Sequence, residues 1–234
     1  MDMEAIRITL RAYTASFRVP GFVGHQLTLP VPPLCTVFGL LSAASGRWVL
    51  PQDVEWLAYR CDYESKGIDL EFIIQIARER PERVPQPRRP PEAYTVIRRE
   101  FLTMPCLVLY LSPEWEPAFR RPRYSLLLGR SQDVASVESI VPVTLEPVSK
   151  GQVGGVLLPM KLVMRNSAPA WLQNLPVAFT DEPHRRPIGM RIFGVIDAHR
   201  VARLRDAPNW LVKDTESGLI IPLYRRDWLV HGDG

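Results

Sequence analysis

The sequence predicts an α+β protein with an antiparallel sheet and a small β-rich C-terminal lobe. Three observations support this fold class. Apolar and polar residues alternate over residues 6–11, an apolar helix-compatible run follows at 34–45, and alternation returns over 68–76. With 234 residues, of which 46% are hydrophobic, the chain can bury the core of one large domain or two small ones.

The N-terminal region predicts a strand, a long loop and a helix. Ile6, Ile8 and Leu10 lie on one face of the strand, opposite a polar and basic face. Residues 14–33 contain four prolines and two glycines, which favour a loop, and loops of this length are usually functional or mobile. Two prolines can occupy the first helical turn, which needs no amide donor, so a helix is expected over about 33–45, ending at Gly46.

A second helix is predicted after Pro51. Val54, Leu57, Ala58 and Cys61 have the spacing that places apolar residues on one helix face. The period then changes to two over residues 68–76, which predicts a half-buried strand ending at Arg78.

Residues 79–93 have the composition of an extended arm. Five of the fifteen residues are proline and four are arginine, so the segment could reach about 45 Å at the polyproline rise. Residues 94–103 and 106–111 predict further strands, forming an antiparallel sheet or an extended hairpin with the strand before the arm.

The positive charge is concentrated in the middle of the chain. The formal net charge is +4, yet residues 78–130 alone hold eleven arginines and six glutamates. A basic middle on a nearly neutral body favours a nucleic-acid backbone or an acidic partner. A solvated charged surface, or an arginine excess inherited from a GC-rich genome, would produce the same composition.

Several classes of protein are disfavoured. No segment approaches the roughly 20 apolar residues of a membrane span, no secretion signal is visible at residues 1–4, and three scattered cysteines fit a reducing compartment. No CxxC, HExxH, EF-hand, nucleotide-binding or GxSxG motif occurs. The expectation is a cytoplasmic protein with no membrane contact, no metal and no cofactor.

One kind of catalysis survives this exclusion. Metal-independent RNA cleavage needs a base to activate a 2′-hydroxyl and a cation to stabilise the phosphorane, and it leaves no sequence signature. His25, with Tyr13 and Arg18 near it in sequence, is the best candidate base.

Phosphate binding is better supported than catalysis, because the loop carries Arg18, His25 and Gln26 and runs into a helix N-terminus, whose unpaired amides attract phosphate oxygens. A loop that only covers a sheet edge is the alternative.

Two segments resemble a known family. ASFRVPGFVGHQLTLPVPPLCTVFGLLSAASGR at residues 15–47 resembles the N-terminal signature of the CRISPR-associated RAMP superfamily, specifically the fifth numbered Cas family. YSLLLGRSQD at residues 124–133 is similar to that family's LLGRSqd segment, and the combination is most similar to type I-B members. The family caps the 5′ handle of crRNA in type I Cascade complexes.

The resemblance implies a fold and a domain organisation. Residues 1–150 would form a ferredoxin-like palm, similar to an RNA-recognition motif, with a projecting β-hairpin thumb at about 77–111. The palm would hold the handle and the thumb a kinked nucleotide, while residues 151–234 would form the β-rich lobe, packed on the palm. The aromatic pair of ordinary RNA-recognition motifs is not visible in residues 6–10, so contacts to phosphate, ribose and loop side chains are expected.

The resulting hypothesis is a non-catalytic crRNA-binding subunit of a type I interference complex. Its implied partners are crRNA, the hexameric-type backbone subunit, the large subunit and, indirectly, target DNA near the PAM-proximal end. The residues predicted to contact RNA are Arg18, His25, Gln26, Thr36, Arg47, Arg130 and Ser131, with Arg83, Arg88, Arg89, Arg98 and Arg99 on the thumb. Two alternatives stay open: a metal-independent endoribonuclease that cuts repeat RNA, as in one subtype of the family, and a protein-binding adaptor without RNA contact.

Overall fold

The computed structural model describes residues 2–22, 24–75 and 93–232. The strands are β1 Met3–Ala12, β2 Thr14–Ala15, β3 Phe17–Arg18, β4 His25–Gln26, β5 Thr28–Leu29, β6 Trp56–Asp62, β7 Ser65–Gln75, β8 Ala93–Thr103, β9 Cys106–Leu111, β10 Leu126–Leu127, β11 Val134–Val148, β12 Gly151–Val153, β13 Val156–Pro159, β14 Trp171–Leu175, β15 Ala178–Phe179, β16 Pro187–Ile188, β17 Arg191–Ile196, β18 Ala202–Leu204, β19 Leu211–Asp214 and β20 Ile220–Arg225. The α-helices are α1 Leu34–Ser45, α2 Glu116–Arg120, α3 Met160–Asn166 and α4 Arg226–His231, and short 3₁₀ turns lie at Pro51–Asp53 and Pro113–Trp115.

Six antiparallel strands close into a barrel. The order is β1, β9, β6, β20, β19 and β11, and β11 pairs again with β1. All six strands contribute to one buried cluster that includes Trp56, Tyr110 and Leu223, which therefore fills the barrel. The predicted α+β class with an antiparallel sheet is confirmed at this level, and the ferredoxin-like arrangement of the palm stays a prediction.

The first strand has the two faces that its sequence predicts. Ile6, Ile8 and Leu10 are buried in the largest core, on the outside of the barrel. On the other face, Nη1 of Arg7 donates to Oδ2 of the fully buried Asp214 at 2.6 Å. The basic face of β1 is thus partly neutralised by a carboxylate from β19.

Helix α1 matches its prediction within one residue. It begins after Pro33 and ends at Gly46, whose φ of 76° is in the left-handed region that terminates helices. Leu34, Leu40 and Leu41 are buried against the outer face of the barrel sheet, so the helix covers one side of the main core.

The second predicted helix is wrong. Only Pro51–Asp53 forms a helical turn, and Trp56–Asp62 is the strand β6. Alternate residues of β6 enter different cores: Trp56 lies inside the barrel, while Leu57 and Tyr59 lie in the main core. A strand buried on both faces reads as a continuous apolar run, whose spacing can match a helix by coincidence.

β7 and β8 form a long antiparallel hairpin, with Ser65 opposite Thr103 and Gln75 opposite Ala93. The sequence placed the thumb at about 77–111, whereas the paired strands begin at Ser65, and the predicted arm over 79–93 lies almost entirely outside the described residues. β7 was expected to be half-buried, but its alternating apolar residues are exposed, Phe72 by 70% and Leu70 by 61%.

The C-terminal third is β-rich, with a second core of its own between β12, β13, α3, β17 and β18. β19 and β20 return from beyond residue 150 to complete the barrel. The division at residue 150 stays a prediction. Among the described residues, no helix is long and apolar enough to cross a membrane.

Candidate nucleic-acid interface

The loop after β1 is attached to the hairpin by main-chain pairing. β2 and β4 both lie beside β8, on the edge opposite β7, and β4 pairs His25 with Arg98 and Gln26 with Arg99. The amide nitrogen Nε2 of Gln26 donates to the carbonyl of Val19 at 3.0 Å, and its side chain is buried. Gln26 therefore fixes the shape of the loop.

The base of the hairpin is joined to the barrel by charged side chains, which we call the ion network: Asp69, Glu71, Arg99, Arg130 and Asp133. Asp69 belongs to it because its Oδ2 lies 3.7 Å from Nη1 of Arg130. Nε and Nη2 of Arg130 each donate to the Asp133 carboxylate at 3.0 Å, and Nη1 donates to Glu71 at 3.0 Å. Nε of Arg99 donates to the other oxygen of Glu71 at 2.6 Å. Asp133 is fully buried and Arg130 only 12% exposed, so this end of the network lies in the interior, whereas Asp69 at the other end is about half exposed.

The same segment touches the loop at Gly129. This residue has φ of 112°, and a Cβ at this position would overlap the carbonyl oxygen of Ser16. The amide of Ser16 donates to Leu128, and the hydroxyl of Thr14 donates to Asp133 at 2.6 Å. The LLGRSQD segment is therefore the joint where loop, hairpin and barrel meet.

The network also determines ionisation. Burial alone would raise the pKa of Glu71, but hydrogen bonds and charge from Arg99 and Arg130 hold it below its usual range. Burial likewise opposes the charged form of Arg130, and the bonds to Asp133 and Glu71 nevertheless raise its pKa. At neutral pH the Glu71 carboxylate and the Arg130 guanidinium are therefore both charged and form an ion pair.

The opposite side of the hairpin, its outer face, combines an apolar row with basic side chains. The apolar row, Ile68, Leu70, Phe72 and Ile74, occupies alternate positions of β7, and all four side chains are more than half exposed. Arg98 lies directly opposite Leu70. Within the described part of the chain, the Arg98 side chain has no ion-pair partner.

His25 lies at the edge of this outer face. Its Nε2 is 3.9 Å from Oε1 of Glu100, and the imidazole is 44% exposed. Oε2 of Glu100 accepts the amide of Thr28 at 3.3 Å, and Thr28 is the strand partner of Arg18. The backbone of Arg18, whose side chain is exposed, is therefore connected through Thr28 to Glu100 on β8. We call Arg18, His25, Arg98 and the apolar row the loop–hairpin surface.

The start of α1 has a packing role in this geometry. Residues 28–34 are buried, the hydroxyl of Tyr59 donates to the Pro32 carbonyl at 2.9 Å, and the amide of Thr36 donates to Pro33 at 2.9 Å. The amide expected to attract a phosphate at Thr36 is thus occupied. Arg47 lies at the other end of the helix, 3.6 Å from Asp53.

The structure brings together only some of the residues that sequence reasoning selected. Arg18, His25 and Arg98 share a surface, while Gln26, Arg99 and Arg130 hold it in place and Ser131 is exposed beside the network. Arg83, Arg88 and Arg89 lie outside the described residues. None of these RNA contacts is tested by the geometry, and all stay predictions.

Sequence reasoning missed the acidic partners. Asp133 could have been found from the Arg-x-x-Asp spacing of residues 130–133, which suits a local ion pair, but Glu71 is 59 residues from Arg130 and gives no such signal. Across residues 2–22, 24–75 and 93–232, no group of three or more histidine, cysteine or acidic side chains could hold a metal ion.

Comparison with solved structures identifies the fold. A chain of a CRISPR RNA-guided surveillance complex matches with a TM-score of 0.52 and 20% identity, over 87% of this chain and 91% of that one. A CRISPR protein from Archaeoglobus fulgidus matches at a TM-score of 0.47 and 8% identity, over 95% and 100% of the two chains. A chain of the type III-B Cmr-beta complex bound to cognate target RNA matches at 0.49 and 10%, over 86% of each.

The likeness to the surveillance-complex chain shows that this protein has the fold of a subunit of a CRISPR RNA-guided complex. No protein-family model matches the sequence, and no curated protein matches it.

Proposed function

We propose that this protein is a non-catalytic RNA-binding subunit of a type I CRISPR interference complex, where it holds the 5′ handle of the crRNA. It would also bridge the backbone and large subunits. The observation that carries the proposal is the loop–hairpin surface, on which basic side chains border an exposed apolar row. The shared fold supports it, since a chain of that fold belongs to an RNA-guided surveillance complex.

The chemistry of the surface suits single-stranded RNA. Unstacked bases are bound against apolar and aromatic side chains, and phosphates by arginine. Phe72 is the most exposed member of the apolar row, and Arg98 lies on the adjacent strand of the same face. A nucleotide lying across the hairpin would therefore place its base on β7 and its phosphate near Arg98.

The ion network supplies the rigidity that such binding needs. A binding surface that is ordered before the ligand arrives loses less conformational entropy on association. Arg130 and Arg99 join the hairpin base to Asp133 and Glu71, so the inner face of β7 and β8 is fixed to the barrel. We assign Arg99, Arg130 and Gln26 to this positioning role and the RNA contact to Arg18, His25 and Arg98.

Co-purifying RNA tests the proposal. The complex should retain short RNAs with a uniform 5′ end derived from the CRISPR repeat, because a handle-binding subunit protects that end. Arg18→Gln/Arg98→Gln should lose much of this RNA, whereas Arg121→Gln/Arg225→Gln, which removes equal charge from exposed positions elsewhere, should retain it. Absence of RNA, or random 5′ ends, would contradict the proposal.

Cleavage is tested separately. His25 lies beside Glu100, and an imidazole next to a carboxylate can act as a general base. Labelled repeat RNA should stay intact with the purified protein in EDTA. Specific cleavage that His25→Ala abolishes would replace the binding proposal by the endoribonuclease alternative.

A second candidate function is a protein-binding adaptor. The apolar row favours it, because contiguous exposed apolar residues mark protein interfaces as well as nucleic-acid sites. Nuclease treatment of the purified complex distinguishes the two functions. An adaptor binds its partner subunits equally well before and after the RNA is digested, whereas the proposed subunit binds them more weakly afterwards, because its contact with the RNA is lost.

A further inference from the structure

A second cationic surface lies in the C-terminal third. β12 and β18 pair antiparallel, with Gly151 opposite Leu204 and Gln152 opposite Arg203. Lys150 and Arg205 directly precede and follow this pair of strands. Together with Gly151, Gln152, Arg203 and Leu204 they line a groove of about 400 Å³.

In the part of the chain that the structure describes, no acidic side chain neutralises the cations of this groove. Within the described residues, Lys150, Arg203 and Arg205 form no ion pair, and no carboxylate lines the groove. The adjacent Asp206 lies 3.5 Å from Arg165 instead. The groove therefore presents three positive charges to an incoming anion.

The backbone that carries these cations is fixed. Gly151 packs against Ile220 so closely that a Cβ would lie 2.6 Å from its Cδ1. Leu204 is buried in the second core, and the Oδ1 of Asn166 accepts the amide of Arg205 at 2.7 Å. Arg203 therefore projects from the paired strands β12 and β18, and Lys150 and Arg205 directly flank them, so the ribbon that presents the three charges is preorganised.

We propose that this ribbon binds the phosphate backbone of a nucleic acid, as a site separate from the loop–hairpin surface. Two guanidinium groups, one ammonium group and one amide are the donors that proteins direct at phosphates. An interface with an acidic protein would be expected to contain an apolar centre, and the only large apolar side chain of the groove, Leu204, is buried. The site takes any strand, because these donors contact no base edge.

Salt dependence tests the site on the full chain. Binding of a labelled uridine homopolymer is measured by fluorescence anisotropy at several salt concentrations. The slope of the logarithm of the binding constant against the logarithm of the salt concentration should become less steep by about 1.4 in Arg203→Gln/Arg205→Gln, since each neutralised phosphate contributes about 0.7 for a single strand. The control Arg121→Gln/Arg225→Gln removes the same charge. An unchanged slope, or an equal loss in the control, overturns the inference.

Chemical protection locates the contact. Phenylglyoxal modifies free arginines, and bound homopolymer should protect Arg203 and Arg205 while Arg225 stays reactive. Protection of Arg18 and Arg98 without Arg203 and Arg205 overturns this inference and leaves the proposed function intact. The reverse pattern overturns only the handle-binding surface. Equal protection of the ribbon by polyglutamate would assign it to an acidic protein instead, which also overturns the inference.

Discussion

Replacing Arg130 with glutamine tests whether this side chain stabilises the fold or contacts RNA. The Arg130 side chain donates three hydrogen bonds to two carboxylates, and Asp133 has no exposed side-chain surface. Breaking a buried ion pair costs about 3–5 kcal/mol because the other charge is left unpaired. Since Arg130 is 12% exposed and glutamine keeps one donor group, about 3 kcal/mol is expected. At about 2–4 °C per kcal/mol for this chain length, Tm should fall by about 6–12 °C.

The assay combines thermal or urea unfolding with RNA binding over a range of salt concentrations. Arg130→Gln should lower stability and leave the salt slope of RNA binding unchanged at temperatures where the variant is folded. Arg98→Gln should do the opposite: its exposed side chain contributes within about 0.5 kcal/mol to stability, but its loss should reduce the slope by about 0.7. A flattened slope for Arg130→Gln at unchanged stability would refute the assignment and make Arg130 an RNA contact.

Three further outcomes follow from the same contacts. Gly129→Ala should lower the free energy of unfolding in urea by about 1–3 kcal/mol or more, because φ is positive and the new methyl group meets Ser16. The control Gly218→Ala, at φ 72° in open space, should lower it less. Equal losses would contradict the close approach of Gly129 to Ser16. The folded protein lowers the pKa of Glu71, so ionised Glu71 stabilises the fold above its unfolded pKa of about 4.3, and this stability is lost as pH falls through the lower folded pKa. The free energy of unfolding, measured against pH, should therefore fall more steeply in acid for the natural protein than for Glu71→Gln. Identical profiles would refute the ion network. Phe72→Ser should leave Tm within about 1–2 °C but weaken RNA retention, and unchanged retention would remove the apolar row from the surface.

Elements with one buried and one exposed face can be predicted from the sequence, because their apolar residues recur at the period of a strand or a helix. β1 has one side in the main core, so the alternation of apolar and polar residues locates it. α1 is bounded by two prolines and a glycine, which locate its two ends. β6 was misread because both of its faces are buried, which removes the alternation that identifies a strand. The closing of the barrel by β20 depends on pairings across most of the chain, which local patterns do not encode.

The candidate site was predicted as a set of residue types and not as an arrangement. Arginine suits both phosphate and carboxylate, so Arg130 and Arg98 look alike in the sequence. Only the fold shows that Glu71 reaches Arg130, while Arg98 lies on the other face and has no ion-pair partner among the described residues. For the same reason the sequence does not reveal the ribbon: Lys150 and Arg203 are far apart in the chain and become neighbours only through the pairing of β12 with β18.

Photocrosslinking tests the central claim most directly. RNA carrying 4-thiouridine near its 5′ end is incorporated into the assembled complex and irradiated, and the crosslinked peptides are identified by mass spectrometry. Crosslinks should fall on residues 17–29 and 93–103, where Arg18, His25 and Arg98 lie. Crosslinks confined to other subunits, with the loop–hairpin surface covered only by polypeptide, would contradict the account.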